Sequence, residues 1–509
     1  MFKRWGPLLL PVLLLTACGS PAPSTPGPAP LASPTFTAAT PITYVSPGPT
    51  AAPVAPTVAP VKAGMPLPTP AGPPTDSYIV QAGDTLGAIA MYRCGCEIAE
   101  LAALNHIQDP ASLQVGQTVL IPVKTDRVGP PLRLLPDSEV VYSPAYLDFD
   151  VAGFVGQKHG YLASYTEVVS GRQLTGAQLV EKVAREYSVG PRLLLALLEY
   201  QGRWVTGQPD SQLTVNFPLS LGHGGHAGLW YQLSWAANVI NQGYYAYKRA
   251  GTLAFTFVDG GRAVAAPGLN AGTVALENAL AATTNWDTWQ QAIGKDGFMR
   301  SYESFFGDTH ARAVEPLVPA DLTQPELTLP WQGGLTWYLS SGPHAAWFDG
   351  SAWAALDFAP SDVRGHCGVS TEWITAAAPG LVLRSGEGQV LVDLDGDGHE
   401  ETGWVLFYLH VVPADQLHAG MKLARGDRIG HPSCEGGAAD SSHVHFARRY
   451  NGEWIAADGP LPMVLSGWRV VGSQAAYDGK MVKGSEVRQA CECWDNTVNG
   501  IASDNAVVH

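Results

Sequence analysis

Charge is scarce in this chain of 509 residues: only 15% are Asp, Glu, Lys or Arg, against 46% hydrophobic. That balance excludes a coiled coil and a highly charged disordered protein. Basic residues are scarcer still, 30 Lys and Arg against 45 Asp and Glu, which leaves a formal net charge of -15. No nucleic-acid partner is expected, because phosphate binding rests on a basic footprint that is missing here. Seven cysteines are too few for a disulfide-packed miniature scaffold. What the chain does have is Gly (56) and Pro (40), and a length that suggests roughly two to four folded domains.

Lys3 and Arg4 precede an apolar run from Leu8 to Leu15, broken only by Pro11. The run is too short for the roughly 20 residues of a membrane-spanning helix, so it reads as a signal peptide over residues 1–17. Leu15-Thr16-Ala17-Cys18 resembles the bacterial lipoprotein cleavage box, which implies acylation of Cys18 and an anchor on the outer face of a membrane. The other reading is an ordinary secretory signal. From Gly19 to Asp76 there are 17 prolines in 58 residues. Such a segment cannot bury a core and favours polyproline II, reaching on the order of 150 Å as a spacer across residues 18–76.

Residues 77–123 form a compact motif: Tyr78-Ile-Val80, Gly83-Asp84-Thr85-Leu86, a helical stretch, Leu104-Asn105, Ile107, Asp109-Pro110 and Ile121-Pro122. Asp84 or Thr85 can cap a first helix, with Leu86, Ile89 and Ala90 on one face. The segment resembles the LysM module, a βααβ unit that binds N-acetylglucosamine-containing glycan. Carried over by position, the resemblance implies glycan contacts at Gly83, Asp84, Thr85, Ile107 and Gln108.

Between Thr175 and Gly307 the pattern turns helical. Leu179, Val180, Val183, Ala184 and Tyr187 share a face, and a second helix runs from Pro191 through Leu193–Leu198 into Glu199. The segment resembles the lysozyme and lytic transglycosylase superfamily, which implies a mostly α, lysozyme-like middle domain over 124–325. A carboxylate after so apolar a run is expected to be desolvated, which suits a general acid. Glu199 is therefore a candidate second catalytic residue. Against this, Tyr200 stands where that family has Ser, and no second acid lies at glycosidase spacing. A structural Glu at a helix end is the other reading.

Eight of the fourteen histidines fall between His344 and His445. Strand periodicity puts Trp404, Leu406, Tyr408 and His410 on one face, and His443 with His445 on one side of their strand. His344, Asp357 thirteen positions later, Tyr408-Leu-His410, Gly420, Gly426-Asp427 and His443-Val-His445-Phe446 resemble, in order, the lysostaphin-type (LytM-like) zinc endopeptidases. The long spacer between His344 and Asp357 is similar to the beta-lytic, or staphylolysin, branch. The resemblance implies an all-β, antiparallel peptidase domain over 326–470, with a C-terminal extension over 471–509. It also implies Zn²⁺ on His344, Asp357 and His445, with His410 and His443 catalytic beside it. Three ligands leave a fourth position for a zinc-activated water.

Asp393, Asp395, Asp397 and Glu401 are spaced like a calcium loop, although Trp404 stands where its bidentate Glu is expected. A solvated acidic turn is the other reading. Cys367 and Cys434 flank the strand carrying His410 and are a candidate disulfide in an exported protein; closing that loop contributes about 4 kcal/mol by the chain-entropy model. The pairing of Cys94, Cys96, Cys491 and Cys493 stays open. Together these readings lead to a wall-associated peptidoglycan hydrolase, with peptidoglycan and a membrane as partners. The alternatives are a noncatalytic peptidoglycan-binding scaffold and a bifunctional enzyme that also cuts glycan at Glu199.

Overall fold

The computed structural model describes residues 74–81, 83–114, 117–221 and 226–504. The signal segment, Cys18 and all but the last three residues of the 18–76 spacer lie outside the described residues. No helix among the described residues is long and apolar enough to cross a membrane.

The first module pairs strand Thr75–Ile79 antiparallel with Thr118–Pro122, around helices Leu86–Ile89 and Ile98–Leu104. Its core is Val80, Leu86, Ile89, Ala90, Leu101, Val119 and Ile121. Of the two candidate caps, Thr85 takes the role, its hydroxyl accepting from Ala88 N at 3.1 Å. Cys94 is bonded to Cys96.

The middle of the chain is mostly helical. The longer helices are Gly176–Tyr187, Pro191–Gly202, Leu229–Ala250 and Ala271–Ala281. Thr175 and Gln178 form a reciprocal capping box at the first, and Pro191 occupies the first turn of the second, where its missing N–H costs nothing. Leu179, Val180, Val183, Ala184 and Tyr187 are all buried, as their helical spacing anticipated.

The remainder is β structure. Its main sheet runs, edge to edge, Lys422–Leu423, Gly380–Gly386, Gln389–Asp393, Trp404–Leu409, Val444–Tyr450, Ala355–Ala359, Thr336–His344 and Gly500–Ala502. Glu453–Trp454 pairs onto Val444–Tyr450 as the ninth strand, and the pairings are antiparallel. The edge strand Gly500–Ala502 comes from the segment expected to be an extension, so the last residues complete the sheet. A three-stranded sheet (Val411–Pro413, Arg428–Pro432, Ile374–Thr375) and a four-stranded sheet (residues 464–489) flank it.

Strand alternation gives the main sheet two apolar faces. Leu406, Tyr408, Val444 and Phe446 face a core built within the β region. Leu391, Val405, Phe407, Leu409 and Ala447 face the other way and join the core of the helical domain. Polar groups tie the same junction. Tyr244 donates to Glu453 at 2.9 Å, Lys248 pairs with Glu453 at 2.5 Å, and Trp454 N donates to the Tyr245 hydroxyl at 3.0 Å.

Glu277 lies fully buried in helix Ala271–Ala281, and neither carboxylate oxygen has a hydrogen-bond partner among the described residues. Burial pushes its pKa from 4.5 up to about 8. The fold therefore favours the protonated acid: the stability it permits is complete below about pH 4.5 and is lost as pH rises through about 8. Urea titrations across that window are expected to show wild type losing on the order of a few kcal/mol. Glu277→Gln should remove that slope; parallel curves for the two proteins would contradict it.

Candidate active site

Asp357 and His445 are register partners on adjacent strands, and His344 ends the strand on the other side of Asp357. His445 lies opposite Leu409, so the cluster sits on the sheet face that carries the helical domain. All three side chains are buried. His344 Nε2 lies 3.3 Å and His445 Nδ1 3.2 Å from Asp357 Oδ1, and the two nitrogens are 3.0 Å apart.

The outer ring nitrogens settle which atoms face inward. His344 Nδ1 donates to the Gly342 carbonyl at 2.9 Å, and His445 Nε2 to the Ala346 carbonyl at 3.0 Å. Each inner nitrogen then carries a lone pair toward Asp357. Burial opposes ionisation of Asp357, yet its imidazole neighbours, His344 and His443 foremost, favour the carboxylate and hold its pKa well below the usual range.

Whether a metal fits can be judged from these atoms alone. Asp357 Oδ1 is a buried oxygen with no hydrogen-bond partner among the described residues, faced by two imidazole nitrogens. A tetrahedral zinc with bonds of about 2.0–2.1 Å separates its ligand atoms by about 3.3 Å, close to the spacings here. The set, two neutral imidazoles and one carboxylate, fits zinc.

His410 and His443 stand beside the cluster, their rings 4.5 Å apart. His443 Nδ1 donates to Ser441 O at 2.8 Å, and its Nε2 lies 3.6 Å from Asp357 Oδ1. His410 Nδ1 donates to Glu435 O at 2.9 Å. Burial, with His443 and His445 nearby, pushes His410 down to about 3. The shared face expected for Tyr408 and His410 is corrected by the structure. Tyr408 packs on the opposite side of the sheet, because His410 follows the strand with a left-handed φ of 62° that swings its ring toward His445.

Tyr477 was not singled out from the sequence. Its ring stacks on His344, centroids 4.5 Å apart, and burial together with Asp357 and Asp349 raises its hydroxyl pKa. The residue sits in a turn, where neither periodicity nor a motif marked it. Its backbone is held beside His344 by Gly342 N donating to its carbonyl and by its own N donating to Pro343 O.

Other candidates fall elsewhere. Glu199 is half-buried and accepts from Val205 N at 3.0 Å, Thr206 N at 2.9 Å and the Thr206 hydroxyl, which ties the turn after its helix. In the glycan-binding set, Asp84 accepts from the Tyr78 hydroxyl and Gln81 N, Ile107 packs against the module core, and Gly83, Thr85 and Gln108 are exposed. Asp393, Asp395 and Asp397 come together, but Asp393 already accepts from the loop's own N–H groups at Asp395, Gly396 and Gly398. Glu401 does not join them and lies 3.5 Å from His399 instead, because the chain turns away after Gly398. Cys367 is bonded to Cys434, and Cys491 to Cys493.

Residues 78–122 match the LysM domain, and residues 133–320 match the N-terminal domain of LasA. Protease LasA of Pseudomonas aeruginosa (strain UCBPP-PA14) is 25% identical over 300 residues, covering 56% of this chain and 68% of that protein. The chain is therefore similar to Protease LasA over more than half of its length and to the LysM domain near its start. Over 72 residues the chain is 33% identical to the N-acetylmuramoyl-L-alanine amidase XlyA of Bacillus subtilis (strain 168), covering 14% of this chain and 24% of that protein. Among solved structures, the M23 metalloprotease pseudoalterin is 26% identical, covering 34% of this chain and 96% of its own, with a TM-score of 0.28.

A cluster built this way should gain stability from its metal. Zinc is expected to raise the melting temperature of the full chain, and Asp357→Asn to abolish the rise. An equal rise in the variant would place the metal elsewhere.

Proposed function

We propose that the chain is a zinc metalloendopeptidase that cuts the peptide stems or cross-bridges of peptidoglycan, with its LysM domain holding the glycan. The observation that carries this reading is the inward-facing trio of His344 Nε2, Asp357 Oδ1 and His445 Nδ1 beside two further imidazoles. The likeness to Protease LasA and the LysM match support it.

Zinc held by His344, Asp357 and His445 would supply a Lewis acid that polarises the scissile carbonyl and acidifies water. The remaining work falls to side chains. His410 donates Nδ1–H to Glu435, which leaves Nε2 as a base. Its depressed pKa keeps the ring neutral, with the Nε2 lone pair free. His443, fixed the same way by Ser441, also holds a basic Nε2 toward the same space, and whichever of the two rings takes up the water's proton can return it to the departing amine. Tyr477 keeps its proton and can donate a hydrogen bond to the developing oxyanion.

The helical domain is read as a lysozyme-like scaffold without glycan cleavage, since Glu199 is occupied by three hydrogen bonds within its own turn. The Asp393–Asp397 loop is read as a self-satisfied acidic turn. Cys18 is read as the lipid attachment that leaves the enzyme at the cell wall, with the LysM domain raising its local concentration on an insoluble substrate.

His445→Ala is expected to lose zinc, whereas His443→Ala should keep zinc and lose about 10²-fold or more in hydrolysis. Metal analysis and the release of free amines from purified peptidoglycan check both. A His443→Ala protein that cleaves normally would overturn the assigned roles. Anhydro-muramyl products lost in Glu199→Gln would instead reveal a second, glycan-cleaving site.

A further inference from the structure

We infer that the helical domain positions the metal ligands, with Asn238 as the residue that sets the loop between His344 and Asp357. The inference rests on the zinc reading above.

The loop of residues 345–354 provides the carbonyl of Ala346, which accepts the Nε2–H of His445 and so fixes the ring that turns Nδ1 inward. A carbonyl in this position sets both the tautomer and the angle of a ligating imidazole. The loop's own bonds are short-range ones: Ala346 N and Ala354 N to Ala352 O, Trp347 N to the Ser351 hydroxyl, and Ser351 N and its hydroxyl to Phe348 O. Phe348 has a left-handed φ of 51° and is 59% exposed. A bulky aromatic residue holds that backbone only where its surroundings impose it.

The helical domain imposes it. Asn238 Oδ1 accepts from Gly350 N at 2.9 Å, and a Cβ at Gly350 would lie 2.1 Å from the Asn238 carbonyl oxygen. Glycine is required there because the helix backbone comes so close. Tyr187 stacks on Phe348 with centroids 5.4 Å apart and meets Trp347 edge-on.

Asn238, Asn241 and Tyr245 fall at i, i+3 and i+7 of helix Leu229–Ala250, hence on one face. Asn241 donates to the Tyr187 carbonyl at 2.7 Å, and Tyr245 accepts from Trp454 N at 3.0 Å, in the short strand paired to that of His445. One rigid helix therefore references both the strand that carries His445 and the loop that orients it. Asn238 touches neither metal nor substrate; it acts through Gly350.

The test uses the full chain and zinc itself. Asn238→Ala should preserve the fold, since Ala favours helix, yet weaken zinc about tenfold in chelator competition, with kcat/KM falling in parallel at sub-saturating zinc. Asn238→Asp, which keeps the acceptor oxygen, should restore zinc affinity to near wild type. Wild-type affinity in Asn238→Ala would overturn the positioning role while leaving the zinc reading intact, as would an Asp variant no better than Ala. A wild-type chain that binds no zinc would instead sink the zinc reading.

Discussion

The site depends on a buried carboxylate oxygen that has no hydrogen bond among the described residues. Asp357 Oδ1 lies within 3.6 Å of nitrogens from His344, His443 and His445, and none of them is held there by a bond to it. An ionised group so deeply buried costs several kcal/mol unless a positive charge compensates for it. Its neighbours direct their N–H groups outward to backbone carbonyls, so a cation in their midst would supply the compensation. Sequence and fold both serve this one constraint: three adjacent strands bring the ligands together, and the loops behind them provide the carbonyls.

The helical domain belongs to the same construction. Leu391, Val405, Phe407, Leu409 and Ala447 give one sheet face to its core. Removing it would expose that face and free the loop that Asn238 holds. The recognition module at the other end of the chain is built differently, with a separate small core of its own. Binding glycan and cutting peptide are thus assigned to units with independent packing, whereas the cutting unit and the helices share theirs.

Much of this was legible before any coordinates. Helical spacing identified the buried face of Gly176–Tyr187, because tertiary packing there follows the period of the helix. His344, Asp357 and His445 could be grouped through the resemblance of their motifs to the lysostaphin-type endopeptidases, and the structure does bring them together. The side of the sheet taken by His410 was not legible. Strict alternation puts it with Tyr408, but one left-handed residue at the strand's end reverses it, and no local sequence signal marks such a residue. Tyr477 and the strand Gly500–Ala502 were missed for a related reason: both reach the site or its sheet through long-range pairing of short segments, which periodicity cannot register. For Glu199 the apolar helix alone could not register that the turn after it supplies three donors, an arrangement the helix-end reading allowed.

Anomalous diffraction at the zinc edge from crystals of the full chain tests the central claim most directly. One peak is expected, bonded to His344 Nε2, an oxygen of Asp357 and His445 Nδ1. No peak there in zinc-grown crystals, or a peak only at the Asp393–Asp397 loop, would contradict it.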